Sequence, residues 1–140
     1  MASYNAISIE KLVRLIGTPK GPVVIDVRDD EDFAAQPLLL PASFRRPYAE
    51  VRQWGPDYRG RWVVVVCQKG KKLSEGVAAW LRNTGAEAET LEGGFEAWQA
   101  AHPGQDVFED RALEITGYLP ISVEDWSQAL TRAQATGTRP

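Results

Sequence analysis

Two short runs of almost uninterrupted apolar residues constrain the fold more than any other feature of the sequence. Residues 23–27 read Val-Val-Ile-Asp-Val, and residues 62–66 read Trp-Val-Val-Val-Val. β-Branched residues favour strands, and a run without polar alternation is typical of a strand covered on both faces. The sequence therefore predicts two central strands of a mainly parallel sheet.

Helical patterns alternate with these strands along the chain. The predicted helices and helical turns follow the spacing of apolar residues and lie at residues 8–16, 31–35, 48–54, 74–83 and 95–101. A further strand is expected at residues 88–91, whereas three prolines predict irregular structure over residues 36–47. Strands and helices that alternate with short connections form right-handed crossovers. The expected fold class is therefore α/β, with helices on both faces of the sheet.

The chain length and its C-terminal part define the expected domains. A chain of 140 residues suits one compact domain. We assign residues 5–101 to this domain and residues 102–140 to a C-terminal extension. Within the extension, residues 122–133 carry an apolar stripe at helical spacing, and Ser122 can cap that helix. The helix is expected to pack on the domain, and a partner or dimer contact is the alternative use of the stripe.

Composition argues against several classes of function. The formal net charge is −3, which gives no reason to expect a nucleic-acid partner. No apolar run approaches the roughly 20 residues that span a bilayer, and no secretory leader pattern opens the sequence, so a cytoplasmic protein without a membrane partner is expected. The single cysteine, Cys67, can form neither an internal disulfide nor a structural zinc site alone. It is a buried spectator, a regulatory thiol or a nucleophile.

The sequence around Cys67 favours the nucleophile. Cys67 follows a predicted strand, and ligands of open parallel sheets bind beyond the carboxyl ends of their strands. The turn that follows Cys67 contains lysines and leads into a helix N-terminus, both of which stabilise an anion such as a thiolate. Its glycine permits the positive φ that a loop folding around an anion needs. Cys67 is the expected catalytic residue. The residues expected to bind substrate are Gln68, Lys69, Gly70, Lys71, Lys72, Leu73 and Ser74.

Several separated motifs resemble one known family. They are the Val-Val-Ile-Asp-Val-Arg segment at residues 23–28, the Asp32-Phe33 pair, the strand into Cys67, and Leu-Glu-Gly-Gly-Phe-Glu-Ala-Trp at residues 91–98. In this order they resemble a rhodanese homology domain over about residues 5–101. The resemblance implies a central parallel five-stranded sheet and a cysteine that accepts a sulfane sulfur and passes it to a thiophilic acceptor. It also implies that backbone N–H groups after Cys67 hold the persulfide.

The resemblance has departures that keep other activities open. Residues 36–43 read Gln-Pro-Leu-Leu-Leu-Pro-Ala-Ser, where many members have Gly-His-Ile-Pro-Gly-Ala. Lys72 stands where the short sulfurtransferase loop has arginine, and the spacing of the next helix suggests one extra loop residue. In the family, a longer loop is associated with phosphatases and arsenate reductases, but Leu73 takes the place of their arginine. A lysine lacks the planar fork of that arginine, so sulfur transfer is favoured.

The expected partners and supporting residues follow from this interpretation. Asp26 and Arg28 are expected to organise their strand end through hydrogen bonds and an ion pair. The donor would be a small sulfur anion such as thiosulfate, and the acceptor a thiol or cyanide. Neither a metal nor an organic cofactor is expected. A homodimer and a non-catalytic binding module built on the same fold remain alternatives.

Overall fold

The computed structural model describes residues 5–101 and 107–108 of the chain. The strands are β1 (Ala6–Ile7), β2 (Val23–Asp26), β3 (Leu38–Leu39), β4 (Ser43–Arg45), β5 (Trp62–Val66), β6 (Glu87–Leu91) and β7 (Val107–Phe108). The α-helices are α1 (Ile9–Leu15), α2 (Asp30–Ala35), α3 (Val51–Trp54), α4 (Lys72–Asn83) and α5 (Gly94–Ala101). Short 3₁₀ helices at Tyr48–Glu50 and Gly55–Tyr58 flank α3.

Five parallel strands form the main sheet in the order β1-β6-β5-β2-β4. The central strand, β5, pairs with β2 from Val23↔Val63 to Asp26↔Val66 and with β6 on its other side. Because all five strands run the same way, their carboxyl ends share one edge of the sheet. The predicted α/β class with a five-stranded parallel sheet is confirmed.

Helices cover both faces of this sheet. On one face, Val63 and Val65 belong to an apolar cluster with Val77 and Leu81 of α4. On the other face, the cluster contains Val64 and Val66 together with residues of α1 and α5, among them the buried Trp98. Successive strand residues point to opposite faces, so the four consecutive valines of β5 supply both clusters. This is the physical reason for the uninterrupted apolar run.

Some elements differ from the sequence prediction. The segment predicted to be irregular, residues 36–47, contains β3 and also β4, the edge strand of the main sheet. Pairing with β2, at Ile25↔Phe44 for example, forms β4 in a segment that is rich in proline. The two-residue strand β1 was not predicted and pairs with β6. Helix α4 begins at Lys72, two positions before the predicted start at residue 74.

The C-terminal extension is described only at β7. Its backbone pairs antiparallel with β3, at Leu38↔Phe108 and Leu39↔Val107. The helix predicted at residues 122–133 lies outside the described residues. Within the described part of the chain, no helix is long and apolar enough to cross a membrane.

Candidate active site

Cys67 lies at the end of the central strand, directly after β5. Its side chain belongs to the apolar cluster on the α4 side of the sheet, together with Val65 and Val77. Only 4% of the residue is accessible to solvent. A reaction partner of Cys67 must therefore be small, or must bring a reactive atom through a narrow opening.

A four-residue loop, residues 68–71, connects Cys67 to α4, and it packs against the turn between β6 and α5. Gly70 has a φ of 69°, and a Cβ atom there would lie 2.5 Å from the Leu91 carbonyl oxygen. The N–H of Phe95 donates to the Cys67 carbonyl at 2.9 Å, and the N–H of Glu96 donates to the Gln68 carbonyl at 3.1 Å. The first turn of α5 thus fixes the backbone at the sulfur.

The backbone donors of this loop are not used by the fold. Within the described residues, no N–H group of residues 68–74 donates a hydrogen bond to another backbone group. The last of these donors belong to the first turn of α4, whose N–H groups have no intrahelical partner. Unpaired N–H groups and the positive end of a helix are suited to an anion. The loop can therefore solvate negative charge close to Cys67.

Ser74 makes a direct contact with the sulfur of Cys67. The thiol donates to Ser74 Oγ over a distance of 3.0 Å, and the Ser74 hydroxyl donates to the Lys71 carbonyl oxygen at 3.2 Å. Both Cys67 and Ser74 are buried. Ser74 was predicted to bind substrate, and in the structure its hydroxyl is adjacent to the sulfur itself.

The other residues predicted to bind substrate lie in different surroundings. Lys69, Lys71 and Lys72 are exposed and form a cationic rim on the loop and the first turn of α4. Leu73 is half-buried and packs against the apolar cluster that contains Cys67. The side-chain amide of Gln68 donates to the Glu96 carboxylate at 3.3 Å, so it faces α5.

Asp26 and Arg28 form a buried ion pair at the end of β2, the strand next to β5. Arg28 Nε lies 2.9 Å from an Asp26 carboxylate oxygen, and its two remaining nitrogens donate to the carbonyls of Gln36 and Leu38. The guanidinium also stacks 3.9 Å from the centre of the Phe95 ring. Burial raises the pKa of the Asp26 carboxyl, and the charge of Arg28 opposes that rise. The ion pair connects β2, β3 and α5, and neither of its residues forms a hydrogen bond with Cys67.

Phe95 and the two glycines before it were named in the sequence only as parts of a motif. They hold the cysteine loop in place, because a Cβ atom on Gly94 would collide with the Cys67 carbonyl oxygen and the Gly70 nitrogen. The Gly-Gly pair was the sequence signal for this contact, since adjacent glycines often mark a close backbone approach.

Among the described residues, no group of three or more His, Cys, Asp or Glu side chains could hold a metal ion.

The fold and this site define a class of α/β protein with a buried cysteine, followed by a loop with free backbone N–H donors among the described residues, at the carboxyl edge of a parallel sheet. A family model described as the rhodanese-like domain matches residues 8–101. The chain belongs to the rhodanese-like domain family.

Known proteins similar to the chain agree with this assignment. The thiosulfate sulfurtransferase GlpE of Pseudomonas fluorescens (strain Pf0-1) is 33% identical over 87 residues, which cover 61% of this chain and 78% of that protein. A solved rhodanese-related protein from Thermoplasma volcanium has a TM-score of 0.59 and 25% identity, covering 70% of this chain and 93% of that one. A rhodanese-like domain protein from Staphylococcus aureus has a TM-score of 0.62 at 23% identity, covering 74% and 97%. The last similarity concerns the fold alone.

Proposed function

We propose that this protein is a sulfurtransferase that carries a sulfane sulfur as a persulfide on Cys67. The observation that carries the proposal is the loop around the buried sulfur, whose backbone N–H groups at residues 68–74 have no backbone acceptor within the described chain. Membership of the rhodanese-like family supports it, as does similarity to proteins named thiosulfate sulfurtransferase.

The proposed reaction has two half-reactions. The Cys67 thiolate attacks the outer sulfur of a donor such as thiosulfate, the S–S bond of the donor breaks, and sulfite leaves with the electron pair. A persulfide, Cys67–S–S⁻, remains on the enzyme. A thiolate or cyanide then attacks the outer sulfur, the bond between the two sulfurs breaks, and the electron pair returns to Cys67. Neither half-reaction uses a metal or a redox cofactor.

The cationic rim and the buried sulfur together select the donor. Lys69, Lys71 and Lys72 raise the local concentration of anions beside the loop on a chain whose net charge is −3. Because Cys67 is only 4% accessible, a terminal sulfur on a small anion reaches it more easily than a group on a broad protein surface. Cytoplasmic conditions, which keep thiols reduced, suit a protein with one free cysteine.

Hydrolysis of phosphate esters or reduction of arsenate receives less support from this loop. Residues 67–74 contain no arginine, and Leu73, at the position expected for one, packs on the apolar cluster beside Cys67. Clamping a tetrahedral oxyanion with two parallel hydrogen bonds needs the planar fork of an arginine. We therefore expect p-nitrophenyl phosphate and arsenate to be inert.

Turnover assays test the proposal. Purified protein is supplied with thiosulfate and cyanide, and thiocyanate formation is measured for the wild type and for Cys67→Ser. We expect turnover by the wild type and none by Cys67→Ser, with both proteins equally folded by circular dichroism. An inactive wild type, or an active Cys67→Ser, contradicts the proposal. Cys67-dependent turnover of p-nitrophenyl phosphate would indicate a phosphatase instead of a sulfurtransferase, and Cys67-dependent turnover of arsenate would indicate an arsenate reductase.

A further inference from the structure

The Ser74 hydroxyl lies between a donor, the Cys67 thiol, and an acceptor, the Lys71 carbonyl oxygen. Its oxygen lies 3.0 Å from Cys67 Sγ and 3.2 Å from the Lys71 carbonyl oxygen. Both residues are buried, so water competes weakly for these bonds. A hydrogen bond to a charged partner in such surroundings is stronger than one between neutral groups.

The direction of this hydrogen bond depends on the state of the sulfur. A thiol donates its proton to Ser74, whereas a thiolate has no proton and can only accept one. The Ser74 hydroxyl can then turn from the Lys71 carbonyl toward the sulfur. This rotation leaves the Lys71 carbonyl paired, because it also accepts the N–H of Glu75 at 3.0 Å. The site therefore offers a donor to an ionised sulfur at little cost to the start of α4.

We propose that the Ser74 hydroxyl assists the discharge of the persulfide by donating a hydrogen bond to Cys67 Sγ as this sulfur departs. The inference rests on the proposed function. In discharge, an acceptor attacks the outer sulfur, the bond to Sγ breaks, and the electron pair accumulates on Sγ. Ser74 keeps its proton throughout and only shares it, so the hydrogen bond strengthens in the transition state and lowers the barrier.

During loading, the negative charge on Cys67 Sγ decreases, whereas during discharge it increases. The thiolate begins with a full negative charge and loses it as the bond to the donor sulfur forms. A hydrogen bond to Sγ is therefore strongest before the reaction and weakens in the transition state. Stabilising a thiolate lowers its nucleophilicity but makes it a better leaving group. Removing the Ser74 hydroxyl should consequently separate the two half-reactions.

Single-turnover kinetics on Ser74→Ala measure this separation. Loading is followed with thiosulfate by sulfite release, and discharge is followed by mixing the isolated persulfide form with cyanide. Each rate is taken at a pH where it no longer changes with pH. Discharge is expected to fall about tenfold or more, the loss typical of one hydrogen bond to a charged group. Loading is expected to be unchanged or faster than in the wild type, because the lost hydrogen bond stabilised the starting thiolate more than the transition state.

Two further variants keep the test decisive. Ser43→Ala removes another buried hydroxyl, which donates to the Leu40 carbonyl at 2.7 Å in the segment leading to β4, and it should leave both half-reactions unchanged. Ser74→Thr retains a hydroxyl and should restore discharge. Equal loss of loading and discharge in Ser74→Ala, unchanged discharge, or a failure of Ser74→Thr to restore it would overturn the role of Ser74. A wild type that takes up no sulfur would instead overturn the proposed function itself.

Discussion

The Gly70→Ala substitution measures how tightly the cysteine loop is held against the turn that precedes α5. Gly70 has a φ of 69°, and its added Cβ would lie 2.5 Å from the Leu91 carbonyl oxygen and 2.7 Å from the Gly94 nitrogen. Both contacts are with backbone atoms, which a rotamer change would not relieve. The loop and the turn must therefore move apart, and the backbone N–H groups proposed to bind an anion move with the loop.

Gly60→Ala is a matched control for this substitution. Gly60 has a similar φ of 75°, but its added Cβ would meet no atom within 4 Å. Gly60→Ala should therefore lower the free energy of unfolding only by the penalty for a side chain in the left-handed backbone region, about 1–2 kcal/mol. Gly70→Ala adds a steric term of about 1–3 kcal/mol, by analogy with overpacked cores. For a chain of this size, each kcal/mol lowers Tm by about 4 °C.

Urea unfolding and sulfur loading from thiosulfate read out the two variants. We expect Gly60→Ala to load normally when folded and Gly70→Ala to be both less stable than Gly60→Ala and impaired in loading. Equal stabilities and equal loading for the two variants would refute the claim that the Gly70 contact shapes the loop.

Two further predictions, each with a comparison variant or wild type, test the supporting structure. Arg28→Lys keeps the charge beside Asp26 but cannot reach all the acceptors that Arg28 bonds. The free energy of unfolding should therefore drop by about 1–3 kcal/mol, the cost of a buried acceptor left unpaired. Asp30→Asn, which removes the exposed ion pair with Arg45, should change the free energy of unfolding little. Equal losses of stability in Arg28→Lys and Asp30→Asn would contradict this expectation. Burial raises the pKa of the Tyr58 hydroxyl above its ordinary value of 10.0, so the folded state holds this proton to higher pH than the unfolded state. The resulting stabilisation is complete below pH 10 and is lost as the pH rises above 10. The free energy of unfolding in urea should therefore fall more steeply at alkaline pH for the wild type than for Tyr58→Phe, and identical slopes would argue against this role of Tyr58.

The central strands and the position of the cysteine were predictable because both follow from local composition. A valine run such as Trp62–Val66 has few uses other than a strand buried on both faces, and the residue after it necessarily lies at the carboxyl edge of the sheet. The lysines and Gly70 could be assigned to the same loop because they are neighbours in sequence.

The edge strands and the contacts within the site were not predictable in this way. Strand β4 exists because Phe44 pairs with Ile25 of β2, and local propensity in a proline-rich segment carries no such information. The hydroxyl of Ser74 reaches the sulfur because α4 begins at Lys72, and a shift of that boundary by one residue would turn the side chain elsewhere. Helix boundaries of this kind are set by tertiary packing.

Intact-protein mass spectrometry after exposure to thiosulfate addresses the assignment of Cys67 as the sulfur carrier most directly. The wild type should gain the mass of one sulfur atom, located at residue 67 by fragmentation and removed by cyanide, while Cys67→Ser should gain none. A wild type of unchanged mass, or equal uptake by Cys67→Ser, would contradict the account.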